Sequence, residues 1–206
     1  LVKYDENGQF YFNHQTNAEY FIAQFIFQIL KTVKKLSSAQ IDLIFQVLPS
    51  EKFQVTRNFL DSLLNRVDQV QDLKSFNSSH EISKRAENKA YLIDLCVAEK
   101  LFNIYEFLAT IIKESDVELF REVIEARDDN DNKVTSLMLI LPYATNLTKF
   151  ENFLNEILYF YSKNIFHGFL FNIDLHGNTI LHYFAVFCKD LNIFECFWNK
   201  IKVLFT

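Results

Sequence analysis

The nine residues from Asp174 to His182, DLHGNTILH, constrain the fold of this chain more than any other stretch. They place a turn signal directly before a helix start. Gly177 can adopt the positive φ that a tight turn requires, and the Asp174 side chain can close the turn by bonding backbone groups near it. Thr179 then stands where an N-cap belongs, because its hydroxyl can accept a hydrogen bond from the backbone N–H of Leu181 or His182. We therefore predict a tight turn followed by a helix.

The residues after this turn are apolar at helical spacing. They are Ile180, Leu181, Phe184, Ala185 and Phe187. Because only two prolines and three glycines punctuate the 206 residues, helices joined by polar turns are favoured over a many-stranded fold. Half of the residues are hydrophobic, which excludes a disordered chain and provides for a large core. The sequence therefore predicts an all-α fold.

The unit of turn and helix resembles the ankyrin repeat, whose signature is an Asp, a Gly three residues later, and then Thr, Leu and His opening the inner helix. The matching residues are Asp174, Gly177, Thr179, Leu181 and His182. Ile180 departs from the pattern, because the family prefers proline there. The resemblance implies that His182 bonds the backbone and the capping Thr179, and that it ties neighbouring turns together.

Other stretches repeat parts of the same pattern. Residues 5–13 keep Asp and Gly at the same offset, residues 130–138 keep Thr and Leu without the Gly, and residues 88–92 keep only Leu92. Leu92 and Leu137 are 45 residues apart and Leu137 and Leu181 are 44 apart, against about 33 for an ordinary ankyrin unit. We predict a single ankyrin-like domain over residues 1–206, an all-α solenoid of stacked antiparallel helix pairs with finger turns and lengthened, degenerate repeats.

Three segments between these copies carry predictions of their own. Residues 68–89 are rich in Ser, Asn and charged residues, so we expect either a loop insertion between repeats or a mobile segment. Ser115 and Glu118 fit a capping box that opens a helix over residues 117–124. That helix resembles an ankyrin outer helix and creates a second repeat register, in which Leu108 opens the inner helix; the sequence leaves both registers open. Residues 164–174 are predicted to form an extended hairpin.

No residue pattern indicates catalysis or a bound cofactor. The chain has no Gly-x-Ser-x-Gly elbow and no His-Glu-x-x-His helix, and three scattered glycines cannot build a phosphate cradle. Candidate metal ligands lack the close spacing of a compact zinc site. They are His167, His176, His182, Cys188 and Cys196. We predict a protein without catalytic residues, cofactor or metal.

The resemblance implies a function in protein binding. An ankyrin stack is a curved rod with one extended concave face, which the finger tips and the exposed sides of the inner helices line. Carried over to this chain, that face consists of Glu6, Gln9, His14, Asp131, Lys133, Tyr143, His176, Asn178 and Tyr183. Tyr143 and Tyr183 are the strongest candidates, because aromatic residues are enriched at interface hot spots. The alternative is that either tyrosine is simply packed.

The expected partner is another protein. A net charge of −5 with mixed signs along the chain disfavours nucleic-acid binding. No apolar run approaches the roughly 20 residues needed for membrane insertion. Three cysteines in apolar stretches fit a reduced, intracellular protein, cytoplasmic or nuclear, and we expect it to be monomeric when alone.

Two other hypotheses compete with this interpretation. Because the chain starts with Leu and ends with Thr, we expect a fragment of a longer protein. A helical regulatory domain of a larger enzyme or channel is therefore the second hypothesis. The third is an irregular helical bundle whose likeness to ankyrin repeats is accidental, with its long first helix serving in self-association.

Overall fold

The computed structural model describes residues 2–4, 10–12, 14–69, 72–73, 89–125, 135–161 and 163–204. Helices dominate these ranges, which confirms the predicted all-α class. The exception is a short hairpin at the N-terminus, where strands β1 (Val2–Tyr4) and β2 (Phe10–Phe12) pair antiparallel with Lys3 opposite Tyr11.

Eleven α-helices lie in the described ranges. They are α1 (Gln15–Thr32), α2 (Ser38–Val47), α3 (Gln54–Leu64), α4 (Lys89–Glu99), α5 (Phe102–Ser115), α6 (Val117–Glu125), α7 (Ser136–Ile140), α8 (Leu147–Phe160), α9 (Lys163–Phe171), α10 (Ile180–Phe187) and α11 (Leu191–Lys202). Two 3-10 turns, Glu51–Phe53 and Leu141–Tyr143, precede α3 and follow α7. Within these ranges no helix combines the length and the apolarity that crossing a membrane requires.

Side chains fix several of the helix starts. At α2 the Ser37 hydroxyl accepts from the Gln40 N–H at 3.3 Å while the Gln40 side chain accepts from the Ser37 N–H at 2.9 Å, forming a capping box. Asn146 caps α8 by accepting from the Lys149 N–H at 3.0 Å. Local sequence therefore sets where these helices begin.

The predicted hairpin over residues 164–174 is wrong, because α9 occupies most of this segment. Phe166, Phe169 and Leu170 are buried and follow the spacing of one helical face. Gly168 does not interrupt the helix, and a lone glycine costs only about 1 kcal/mol in a helix interior. Burial of the aromatic face therefore outweighs the turn signal.

The predicted capping box at Ser115 is also wrong. Helix α5 continues through Ser115, and one extended residue, Asp116, separates it from α6. The Asp116 carboxylate caps α6 by accepting from the Leu119 N–H at 3.0 Å. Leu108 lies in the middle of α5, so the register in which it opens an inner helix is wrong as well.

The loop predicted over residues 68–89 lies largely outside the described residues. Of its described part, Leu73 is buried and Lys89 is the first residue of α4. The helix therefore begins at the last residue of the predicted loop.

Helix α5 is the centre of the core, because every residue from Leu101 to Ile112 is buried. It contacts α3, α4 and α6 along its length. Against α8, the ring of Phe102 lies 5.9 Å from that of Phe153, and Tyr105 approaches the same ring at 6.2 Å. The buried apolar side chains of the surrounding helices form one continuous cluster with those of α5.

Polar side chains join α3, α5 and α8 at a regular chain separation. Asp61 of α3 accepts from the side chain of Asn103 and the backbone N–H of Ile104, 42 and 43 residues further on. Lys149 of α8 pairs with Glu106 of α5, also 43 residues away, at 3.1 Å and donates to the Leu64 carbonyl of α3 at 3.0 Å. One lysine ammonium therefore contacts both of the preceding helices.

Further contacts join helices that are distant in sequence. Helix α7 contacts α4 on one side and α10 on the other, and α8 contacts α11. Between α10 and α11, the rings of Phe184 and Phe197 stack at 4.0 Å with an angle of 6° between their planes. Both rings are buried, so this stack is a main packing contact at the C-terminal end of the described structure.

We expect Phe184→Ala to lower the free energy of unfolding by about 3–5 kcal/mol, because it leaves a cavity against Phe197 and Phe150. Urea denaturation followed by circular dichroism measures this loss. Tyr159→Ala is the control, since Tyr159 is 95% exposed and its truncation should cost less than about 0.5 kcal/mol. Equal losses in the two variants would contradict the assigned packing.

The Glu106 carboxyl should make stability depend on pH. Burial raises its pKa from 4.5 to about 7, and the nearby Lys149 only partly offsets this effect. Between these values the native state binds more protons than the unfolded state, so this group lowers the free energy of unfolding as pH rises.

We expect Glu106→Gln to remove this contribution, so that the variant gains stability relative to the wild type between pH 4.5 and 7. Urea titrations at several pH values measure the difference. The control is Glu151→Gln in α8. It also removes one carboxylate, but from a half-exposed ion pair between Glu151 and Lys200. Parallel stability curves for the wild type and Glu106→Gln would refute the assignment.

Candidate interaction surface

The turn from Asp174 to Thr179 adopts the predicted tight conformation. Gly177 has a φ of 79°, and its N–H donates to the Asp174 carbonyl at 3.0 Å. The Asp174 N–H in turn donates to the Asn178 carbonyl at 3.0 Å. Only glycine adopts this φ at little cost, so the position of Gly177 fixes the shape of the turn.

The Asp174 carboxylate holds the turn together by accepting four hydrogen bonds. Backbone N–H groups of His176 and Asn178 donate to Oδ1 at 2.8 Å each. The Asn178 side chain donates to Oδ2 at 2.8 Å and the Tyr183 hydroxyl at 3.0 Å. Partial burial acts to raise the pKa of Asp174, but the bonds from Asn178, Tyr183 and His176 together hold it well below its usual range.

Thr179 is the N-cap of α10, as predicted, and forms a capping box with His182. The Nδ1 atom of His182 accepts from the Thr179 backbone N–H at 3.0 Å and lies 3.0 Å from the Thr179 hydroxyl. The resemblance implied that His182 bonds the backbone and the capping Thr179, and these contacts match that expectation. They fix the direction in which α10 leaves the turn.

An aromatic cluster lies beside this turn; we use the term for Tyr143, Tyr183 and Phe187 together with Lys100. The Phe187 ring lies 5.7 Å from that of Tyr143 and 6.0 Å from that of Tyr183, with interplanar angles of 32° and 34°. The Lys100 ammonium lies 5.1 Å from the Tyr143 ring centre and 5.9 Å from that of Phe187. These distances allow cation–π attraction at a partly exposed site.

Three separate elements supply the cluster. Tyr183 and Phe187 are four residues apart on α10, so they lie on one face of the helix. Tyr143 ends the 3-10 turn that contacts α10. Lys100 joins α4 to α5 with a φ of 63°, and it is the one non-glycine residue with positive φ in the described ranges.

The conformation of Lys100 costs energy for a residue with a side chain. The packing of α4 against α5 holds it there, because the Leu101 N–H donates to the Cys96 carbonyl at 2.8 Å across this bend.

The structure brings together four of the predicted surface residues. His176 and Asn178 lie in the turn, Tyr183 bonds its carboxylate, and Tyr143 joins through Phe187. His14 is exposed immediately before α1. The other four, Glu6, Gln9, Asp131 and Lys133, lie outside the described residues.

Within this group the polar atoms of Asn178 and Tyr183 already have partners inside the protein. Both donate to Asp174, so part of the role of each is to stabilise the turn. Tyr143 and Phe187 are partly exposed, and Lys100 is exposed. These three side chains therefore offer the contact area of the cluster.

Lys100 and Phe187 are absent from the predicted set. Phe187 was detectable as the residue four positions after Tyr183 on the same helix. Lys100 carried no such signal, because neither a left-handed backbone at a lysine nor its contact with a ring 43 residues away follows from local sequence.

The described residues contain no group of three or more His, Cys, Asp or Glu side chains placed to hold a metal ion. The thiols of Cys96, Cys188 and Cys196 are free, and Cys96 is buried. Burial raises the pKa of the Cys96 thiol above its usual value, which opposes formation of a nucleophilic thiolate. Comparison of the chain with family models, curated proteins and solved structures found no match.

We expect Tyr183→Phe to raise the pKa of Asp174 towards its ordinary value and to lower the melting temperature, because it removes one donor and keeps the ring. Carboxyl-carbon NMR during an acid titration follows Asp174 directly. Tyr159→Phe, which removes a hydroxyl from a side chain that is almost fully exposed, is the matched control. An unchanged Asp174 titration in Tyr183→Phe would rule out the hydrogen bond.

Proposed function

We propose that this chain is a non-enzymatic module that binds another protein through the aromatic cluster, on an ankyrin-like solenoid of degenerate repeats. The observation that carries the proposal is the cluster itself. It combines aromatic rings with an exposed cation, and aromatic side chains are enriched at the centres of protein interfaces. Its rings lie on α10 and on the 3-10 turn packed against α10, so little ordering entropy would be lost on binding.

Two features support the repeat architecture in this proposal. Contacts that join α3 to α5 and α5 to α8 link residues 42 or 43 positions apart, as from Asp61 to Asn103 and Ile104 and from Glu106 to Lys149. Helices α4, α7 and α10 also contact one another in chain order. Contacts between neighbouring units at a fixed chain separation are typical of a solenoid.

The units of this proposed solenoid are longer than ankyrin repeats because a third helix follows the long one. Helix α6 follows α5, and α9 follows α8. The first residues of α6 and α9, Val117 and Lys163, are 46 positions apart. The additional helix accounts for the spacing of 44 to 45 residues between the leucines that open the inner helices.

The test captures proteins from lysates of the source cells on the wild type and on a surface variant. Mass spectrometry identifies the proteins that each of them retains. The variant carries Tyr143→Ala and Phe187→Ala, which leave all four donors to Asp174 in place. Tyr159→Ala on α8 is the control, because it also truncates an exposed aromatic ring. Melting temperatures are measured for all three proteins to exclude unfolding.

We expect at least one protein to be retained by the wild type and by Tyr159→Ala but lost by the double variant. Calorimetry with that purified protein should then show binding weakened by at least about tenfold, or about 1.4 kcal/mol. A partner that the folded double variant still retains with full affinity would place the interaction on another surface. If no protein distinguishes the variants, the aromatic cluster has only a structural role.

A further inference from the structure

A polar pocket of about 260 Å³ opens between α5, α8 and the segment after α3. Its lining consists of Gln69, Glu106, Asn152, Phe153, Asn155 and Glu156. It therefore presents two carboxyl groups, three carboxamides and one aromatic ring, and none of its lining residues in the described part of the chain is cationic. This volume exceeds the roughly 30 Å³ that one water occupies in the liquid, so the pocket can hold a small organic molecule.

The described side chains around the pocket carry more carboxyl groups than ammonium groups. Glu106 pairs with Lys149 at 3.1 Å and Glu156 pairs with Lys113 at 2.9 Å, each through its Oε2 atom. Asp61 is the third carboxyl group close enough to act on Glu106. Among the described residues, three carboxyl groups thus share two ammonium groups, and one further positive charge would be stabilised there.

Two polar side chains that line the pocket, Glu106 and Asn152, have buried polar atoms. Glu106 is only 5% exposed and lines the pocket. The Asn152 Nδ2 atom is fully buried and has no hydrogen-bond partner within the described ranges. A buried donor without an acceptor costs free energy. Because this atom has no accessible surface, the Asn152 carboxamide must rotate towards the pocket to donate to a ligand, and that bond would then remove the cost of the unpaired donor.

We infer that this pocket binds a small primary ammonium compound that also carries a hydrogen-bond acceptor, such as an amino alcohol. The ammonium would donate to the carboxylates of Glu106 and Glu156, and the acceptor would take the hydrogen bond offered by the rotated Asn152 carboxamide. The raised pKa of Glu106 supports this inference, because a cation in the pocket would favour the ionised carboxylate. This site uses none of the residues of the aromatic cluster, so it stands or fails independently of the proposed protein binding.

Three probes of equal length and different charge test the inference on the whole chain. Ethanolamine carries the positive charge, ethylene glycol is neutral, and glycolate is negative. Each is titrated while two-dimensional NMR follows the backbone of α8 and the side-chain amides of Asn152 and Asn155. We expect saturable shifts at these amides with ethanolamine alone.

Two variants on the same helix complete the test. Glu156→Gln removes one carboxylate from the pocket, and we expect ethanolamine to bind it at least about tenfold more weakly. Glu151→Gln removes a carboxylate that pairs with Lys200 and does not line the pocket, so its affinity should equal that of the wild type. Both side chains are partly exposed, so neither substitution should prevent folding.

Three results would overturn the inference. The first is the absence of saturable shifts with ethanolamine, which would mean that the pocket holds water only. The second is equal binding of all three probes. The third is equal loss of affinity in Glu156→Gln and Glu151→Gln, which would show general attraction to an acidic surface.

Discussion

The burial of α5 from its first residue to Ile112 is the constraint on which the rest of this structure depends. A helix that is buried around its whole circumference needs neighbours on all sides, and here α3, α4, α6 and α8 provide them. It also needs partners for every polar group that it takes out of water. Four of its buried residues carry such groups, namely Asn103, Tyr105, Glu106 and Thr110. The arrangement of α3 and α8 follows from pairing two of them, Asn103 and Glu106.

Asp61 and Lys149 meet these requirements from opposite sides of α5. The Asp61 carboxylate accepts from the first turn of α5, where a helix presents free N–H groups and favours negative charge. Lys149 neutralises Glu106 and reaches past it to the end of α3. Breaking either contact would leave a buried group unpaired, which costs more than the contact itself contributes. These polar links therefore fix the relative positions of three helices that apolar packing alone would allow to slide.

The aromatic cluster is a consequence of the same packing. Lys100 lies at the bend between α4 and the buried α5, and the short helices carry Tyr143 and Phe187 to it from two later segments of the chain. The Asp174 turn sets the start of α10 and thus the position of both of its cluster residues. The stability of the core and the geometry of the surface are therefore linked through α7 and α10. Neighbouring helices therefore hold the rings of the cluster in contact with one another.

The sequence by itself determined the local features whose signals lie within a few residues. The turn at Gly177, the caps at Ser37 and Thr179 and the all-helical class follow from φ preferences, side-chain hydrogen bonds and apolar spacing. Tertiary structure decided the rest. Burial of Phe166, Phe169 and Leu170 made a helix where Gly168 indicated a hairpin, and packing forced Lys100 into a left-handed conformation. The pairing of Glu106 with Lys149 also depends on the tertiary structure. Its energy comes from the burial of both side chains, and the residues next to them in sequence do not reveal that burial.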